Sequence, residues 1–170
     1  LDAIYYLSFC KSYSNSIDSQ NIEHNADFFM LQGKYSLRDT EEEIYCGMKR
    51  KQKKHFKRNK KEYERLADHI GLLPLVLVSP GDDELISEGS DERRKFMDSV
   101  ISQYNKTYLN ALLNYNNALK QRNALLKEET LFDETLFEIW EELMVKHGKY
   151  IYECRKSFID EFIPIFQEIY

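Results

Sequence analysis

The sequence predicts an α+β fold: a short helix, a set of short antiparallel strands, and a long antiparallel helical hairpin. Three observations carry this. The 170 residues are 42% hydrophobic and 31% charged, with six Gly and three Pro, too apolar for a disordered chain and too poor in Gly and Pro for a loop-rich one. Short apolar runs broken by turn residues fill the stretch between Phe28 and Val78. From Ser90 to Tyr170 only Gly148 and Pro164 remain as helix breakers, and apolar side chains recur at helical spacing. A chain of this length buries roughly two-thirds of its unfolded surface, and the change in composition divides it into residues 1–80 and 81–170.

Leu1, Ile4, Tyr5 and Leu7 form one apolar helical face with no cap residue before it, so residues 1–10 read as the remainder of a helix. Leu1 is not Met and no basic segment precedes it, so no signal peptide is visible. With the apolar end Phe162–Phe166, this makes the chain read as an internal piece of a larger protein. Strand-like runs follow at Phe28–Leu31, Glu43–Met48 and His55–Arg58, punctuated by Gly33, by an Arg38-Asp39 turn and by Asn59. Asp68–Gly71 reads as a short helix ending on glycine. Leu72–Val78, rich in Leu and Val and closed by Ser79-Pro80-Gly81, reads as a buried strand.

Ser90 is a suitable N-cap, and Asp91 and Glu92 follow where the helix dipole favours anions. One long helix is then predicted from a stripe at Met97, Ile101, Tyr104, Tyr108, Leu112, Tyr115, Leu119 and Leu126, with Arg122 its one charge. A second stripe starts after Asp133 and runs through Leu136, Trp140, Leu143, His147, Ile151, Cys154, Phe158 and Phe162. A short acidic turn joining two helices of this kind gives an antiparallel hairpin with an aromatic seam. Pro164 should kink or end the second helix.

Charge is uneven along the chain. The net charge is −5, yet nine of the thirteen residues between Lys49 and Lys61 are basic and none is acidic. These are Lys49, Arg50, Lys51, Lys53, Lys54, Lys57, Arg58, Lys60 and Lys61. The other 157 residues carry 15 basic against 29 acidic groups. A local +9 in an acidic protein is expected to project into solvent and to attract polyanions. It reads either as a solvated hairpin or as a DNA-contacting segment whose phosphate contacts add salt dependence rather than sequence preference. His55 and Phe56 interleave the run, too few aromatics for a stacking platform.

Other chemistry is sparse. His24, His55, His69 and His147 are scattered without helical ligand spacing, so no metal site is expected. Cys10, Cys46 and Cys154 are odd in number and far apart, which argues against a disulfide framework and for a reducing, cytoplasmic setting. No nucleophile elbow or Gly-rich phosphate loop occurs, and no apolar run is long enough to span a membrane. Arg93-Arg94 reads either as two solvated arginines or as a clamp for phosphate or carboxylate.

Several stretches resemble a known family. Leu1-Asp2-Ala3-Ile4-Tyr5-Tyr6-Leu7 resembles the helix that follows the phosphate loop in SMC-like ATPases. Ser79-Pro80, Ile86-Ser87-Glu88-Gly89-Ser90 and Arg93-Arg94-Lys95-Phe96-Met97-Asp98 resemble a segment of the bacterial RecF family, as does Lys120-Gln121-Arg122-Asn123-Ala124-Leu125-Leu126. These motifs occur in family order over roughly positions 1–127.

The resemblance implies part of an ABC-type ATPase head, with its first lobe in residues 1–80 and a helical second lobe in 81–170. It implies an ATP-dependent, clamp-like DNA-binding protein that uses Mg and forms a nucleotide-dependent homodimer. Such a protein acts at single-strand gaps and single-/double-strand junctions with RecO and RecR, helps load RecA, and has no membrane partner. The phosphate loop would end before Leu1 and the signature sequence would lie past Tyr170, so this chain alone is expected to be inactive. Lys11 falls where related heads place a basic residue near nucleotide. Val76–Pro80 corresponds to the approach to the loop that senses γ-phosphate and metal, with Gly81 rather than a Gln or acidic residue directly after Pro80. Arg93 and Arg94 match the family's arginine pair, at an interface or as a phosphate clamp. The alternative is a helical-hairpin module of another SMC-like protein that binds protein rather than DNA.

Overall fold

A computed structural model describes residues 1–15, 17–87, 89–127 and 133–169; at Gly81, Glu84 and Ile86 it describes the backbone alone. It divides into two compact units, Leu1–Val78 and Ser79–Tyr170.

The first unit is one helix on one face of a four-stranded antiparallel meander. Helix α1 (Asp2–Phe9) ends on Cys10 in the left-handed conformation, φ 56°. Strands β1 (Phe28–Leu37), β2 (Thr40–Lys49), β3 (His55–Arg58) and β4 (Lys61–Glu62) lie side by side in chain order. Leu37 pairs with Thr40 across Arg38-Asp39, at φ 45° and 68°; Arg58 pairs with Lys61 across Asn59-Lys60, at φ 49° and 69°. Two consecutive residues at positive φ make the tight hairpin turn whose twist matches the strands it joins, and Asn and Asp tolerate that conformation better than most residues. Gly33 does not interrupt β1. A Cβ there would stand 2.7 Å from the Tyr35 ring and 3.0 Å from Leu7, so glycine admits both side chains on the inner face.

The core of this unit joins Tyr6, Leu7 and Cys10 of the helical end to Ile44, Cys46, Phe56 and Leu73. His69 lies fully buried at its edge, against Phe56 and Tyr63. Its Nε2 is 2.7 Å from the Leu7 carbonyl and its Nδ1 is 3.0 Å from the Tyr63 hydroxyl. A carbonyl only accepts, so Nε2 carries the proton. A 3₁₀ turn at Leu66–Asp68 and Gly71 at φ 85° bring the chain to this point.

Leu72–Val78 departs from the buried strand predicted. It is not part of the sheet, and Val76 and Val78 are 69% and 83% exposed. β-propensity measures fit to a neighbouring pleated surface, and none of β1–β4 offers these residues one.

The second unit is helical. Short turns at Pro80–Asp83 and α2 (Glu84–Ser87) precede α3 (Ser90–Tyr104), α4 (Lys106–Leu125) and α5 (Glu134–Ile169). The single long helix predicted from Ser90 onward is two, because Asn105 leaves helical geometry at φ −118°, ψ 96° and its side chain accepts from the Tyr108 N–H. Asparagine competes for backbone groups in this way and favours a cap over a helix interior. The N-cap of α3 is Gly89, not Ser90; the Ser90 hydroxyl instead accepts from Arg94 at 2.8 Å.

Ile101, Tyr108, Ala111 and Ile151 form the core, with Met97, Leu112, Tyr115, Cys154 and Phe158 packed on it. Tyr104 is 66% exposed, since the break at Asn105 turns it off the seam. The acidic turn falls largely on residues 128–132, outside the described residues. Asp133 caps α5 by accepting from the Leu136 N–H at 2.9 Å. Pro164 does not end α5, which continues to Ile169. Both flanks of that last stretch are exposed, so the Asp160 carbonyl that loses its helical partner is open to water.

Candidate nucleic-acid interface

The basic run occupies the end of β2, the β2–β3 connection, β3, the turn after it and β4. The structure sorts its nine charges by direction rather than leaving all of them in solvent. Lys54 turns inward: its side chain is 11% exposed, and Nζ lies 2.7 Å from Asp18, 3.1 Å from the Tyr6 hydroxyl and 2.5 Å from the Cys10 carbonyl. Arg58 makes a two-pronged contact with Glu42, with Nε donating to Oε2 at 2.7 Å and the second nitrogen to Oε1 at 2.5 Å. Arg50, though exposed, donates to the Ala26 and Glu23 carbonyls at 3.0 and 3.3 Å. The remaining six, Lys49, Lys51, Lys53, Lys57, Lys60 and Lys61, keep their charge at the surface, with Lys57 half-buried and the others exposed.

The inward charges stiffen the hairpin that carries the outward ones. Asn59, at the β3–β4 turn, donates its side-chain amide to Glu42 at 2.7 Å and accepts from the Glu43 N–H at 2.8 Å. Its own backbone N–H donates to the Glu43 carbonyl at 2.8 Å. Hydrogen bonds from Arg58 hold the Glu42 carboxyl below the ordinary glutamate range, with Asn59 acting in the same direction and desolvation opposing both. Burial pushes the Cys46 thiol up to about 12, partly offset by Lys54. That thiol stays protonated and behaves as a small core hydrophobe. Tyr6 is raised by burial and by its hydrogen bond to Asp18.

The other candidate positions fall elsewhere. Lys11 is exposed just after the left-handed end of α1. Arg93 donates to the Leu85 carbonyl at 3.1 Å, and Arg94 pairs with Asp91 one turn back as well as with Ser90. Arg94 thus bonds within the first turn of α3, and Arg93 reaches back to the segment before it. Arg122, the charge on the first stripe, pairs with Glu141 at 3.1 Å and lies 5.0 Å from the Phe137 ring centre. Sequence reasoning missed a half-buried ionic group in the second unit: Arg155 bridges both oxygens of Asp98 at 2.9 and 2.8 Å, and the Tyr108 hydroxyl donates to the same carboxylate. Asp98 and Arg155 lie 57 residues apart; the apolar stripes predict that their helices pack antiparallel but not the register that sets these two side chains together.

Among the described residues no group of His, Cys, Asp or Glu could hold a metal ion, and the sequence has no glycine-rich phosphate loop. No helix among the described residues is long and apolar enough to cross a membrane.

No model of a known protein family matches the chain. Individual proteins do. It is 64% identical to the DNA replication and repair protein RecF of Bacteroides fragilis, and 64% identical to that of Bacteroides thetaiotaomicron; both matches cover the whole chain and 46% of the relative. The RecF of Porphyromonas gingivalis is 43% identical over the whole chain and 47% of its own length. A solved structure of the recombination mediator protein RecF-ATP in the RecFOR pathway superposes with a TM-score of 0.86 at 33% identity, covering 94% of this chain and 43% of that one. The chain therefore spans about half the length of the curated relatives it matches, and over that span it belongs to the RecF family.

Proposed function

We propose that this chain supplies a DNA-contacting surface to an ATP-dependent RecF protein of replication-coupled recombinational repair. The observation that carries it is the outward set of six lysines on a hairpin braced by Lys54, Arg58 and Asn59, in a chain matched along its whole length by RecF. Lysines held this way meet phosphates as point charges, so binding is driven by release of condensed counterions and reads no sequence. In the whole protein, ATP with Mg drives dimerisation on DNA at gaps and strand junctions, where RecO and RecR assist RecA loading in the cytoplasm. Lys11 lies toward the nucleotide in this reading, and Arg93 and Arg94 serve the interface between copies. The relation to a RecF-ATP structure of the RecFOR pathway supports the nucleotide and the RecO/RecR partnership in general terms.

The test is a triple reversal of Lys51, Lys53 and Lys60 to Glu in the full-length protein. Duplex affinity should fall, and the slope of log affinity against log salt should flatten by about one per lost phosphate contact, with the melting temperature unchanged. Lys54 is left out because reversal would set a second carboxylate beside Asp18. An unchanged affinity and slope would remove this hairpin from the DNA path.

A further inference from the structure

The outer face of the sheet carries an arrangement that phosphate contact alone does not need. Strand register sets Phe28 opposite Lys49, Gly47 opposite His55, and Tyr45 opposite Lys57. These six positions line one open hollow of about 330 Å³. Phe28 is 63% exposed, and a large ring left in water forgoes the gain of burying its apolar surface. Gly47 governs the posture of Tyr45. A Cβ on Gly47 would stand 2.7 Å from the tyrosine oxygen and 3.2 Å from two ring carbons, so the ring lies down along the sheet where any other residue would prop it up. The Lys57 ammonium sits 5.7 Å from the centre of that ring. Glu62, opposite Lys57, is engaged with His55 at 2.7 Å, and Lys49 and Lys57 leave the hollow cationic.

We propose that this hollow holds an unpaired nucleobase of single-stranded DNA, stacked on Tyr45 and Phe28, with its flanking phosphates on Lys49 and Lys57. The inference rests on the DNA-binding reading above and adds to it a preference for exposed bases. Every base has a flat π-face, so stacking on aromatic rings is tolerant of sequence, and lysines beside the rings follow the backbone. A duplex keeps its base faces inside the stack and meets only the lysines. Gly47 is what makes the platform: without the flat tyrosine there would be a basic strand and no place for a base.

The experiment compares three labelled probes on the full-length protein by fluorescence anisotropy: a thymidylate 12-mer, an abasic 12-mer with the same phosphates, and a 12-base-pair duplex. The thymidylate should bind about tenfold more tightly than the abasic strand, as expected for one or two stacked bases. Tyr45→Ala and Phe28→Ala should each bring that ratio toward one, and Gly47→Val should do the same by lifting the tyrosine. Phe28 is exposed enough that its replacement tests the site even where a change at Tyr45 disturbs folding. A ratio near one in the unaltered protein with duplex binding intact overturns this inference alone, as does a ratio that Phe28→Ala and Tyr45→Ala leave unchanged. No binding of any probe overturns the DNA reading and this inference with it.

Discussion

Arg58 grips Glu42 with two nitrogens, at 2.7 and 2.5 Å, across the strand pair β2–β3, and the carboxylate it holds is only 8% exposed. A glutamate in that position keeps its charge because a planar guanidinium and the Asn59 amide complete its hydrogen bonds.

This pair sets an acid limit on the hairpin. The Glu42 carboxyl is depressed in the folded chain, so its contribution to stability is complete above the ordinary glutamate range, near pH 4. It is lost as pH falls through the lowered folded value. Thermal melts from pH 7 down to pH 2.5 should show a steeper acid decline for the natural protein than for Glu42→Gln. Parallel curves would mean that the pair does not hold in solution.

Lys54 should behave as a structural residue within a functional-looking run. Lys54→Ala strands Asp18 and the Cys10 carbonyl, and should cost about 1–3 kcal/mol. Lys53→Ala, one position earlier and exposed, should cost less than about 0.5 kcal/mol. Denaturant midpoints of the two variants give the comparison directly.

Tyr104 and Tyr108 are one turn apart in sequence and opposite in consequence. Tyr108 is fully buried and hydrogen-bonded to Asp98, so Tyr108→Ala should cost about 3–5 kcal/mol. Tyr104→Ala should cost under about 1 kcal/mol. Calorimetry that shows equal losses would contradict the break at Asn105.

The three cysteines should separate by burial. Cys10 and Cys46 are buried and Cys154 is half-buried, and the Cys46 thiol is further protected by its raised pKa. Iodoacetamide at pH 8 should label Cys154 first, and Cys46 only as fast as the protein unfolds. Peptide mapping by mass spectrometry would follow each site.

Elements that depend on their own residues were legible in the sequence. The Arg38-Asp39 turn, the Asp133 start of α5 and the stripe from Trp140 to Phe158 follow from local chemistry and period, and the family resemblance followed from short motifs in order. Features that depend on a distant partner were not legible. Leu72–Val78 has strand composition, but a strand needs a neighbour. The inward turn of Lys54 needs Asp18, 36 residues away. Asn105 shows the limit of periodicity, since one side chain accepting a backbone proton outweighed an apolar stripe that ran straight through it. On the sheet face the signal was present in Tyr45-Cys46-Gly47, an aromatic and a glycine two apart, and its meaning appears only when Phe28 and His55 are set beside them by register.

The meander also has a kinetic meaning. Its strands pair only with neighbours in the chain, and two of its three connections are two-residue turns. Each pairing closes a short loop, so little chain entropy is lost before the next contact rewards it. The order of formation should therefore follow the turns. Replacing Asp39 or Asn59 by valine, which resists a left-handed backbone, should slow refolding of the sheet more than an equally destabilising change in the α1 core, such as Leu7→Ala, does.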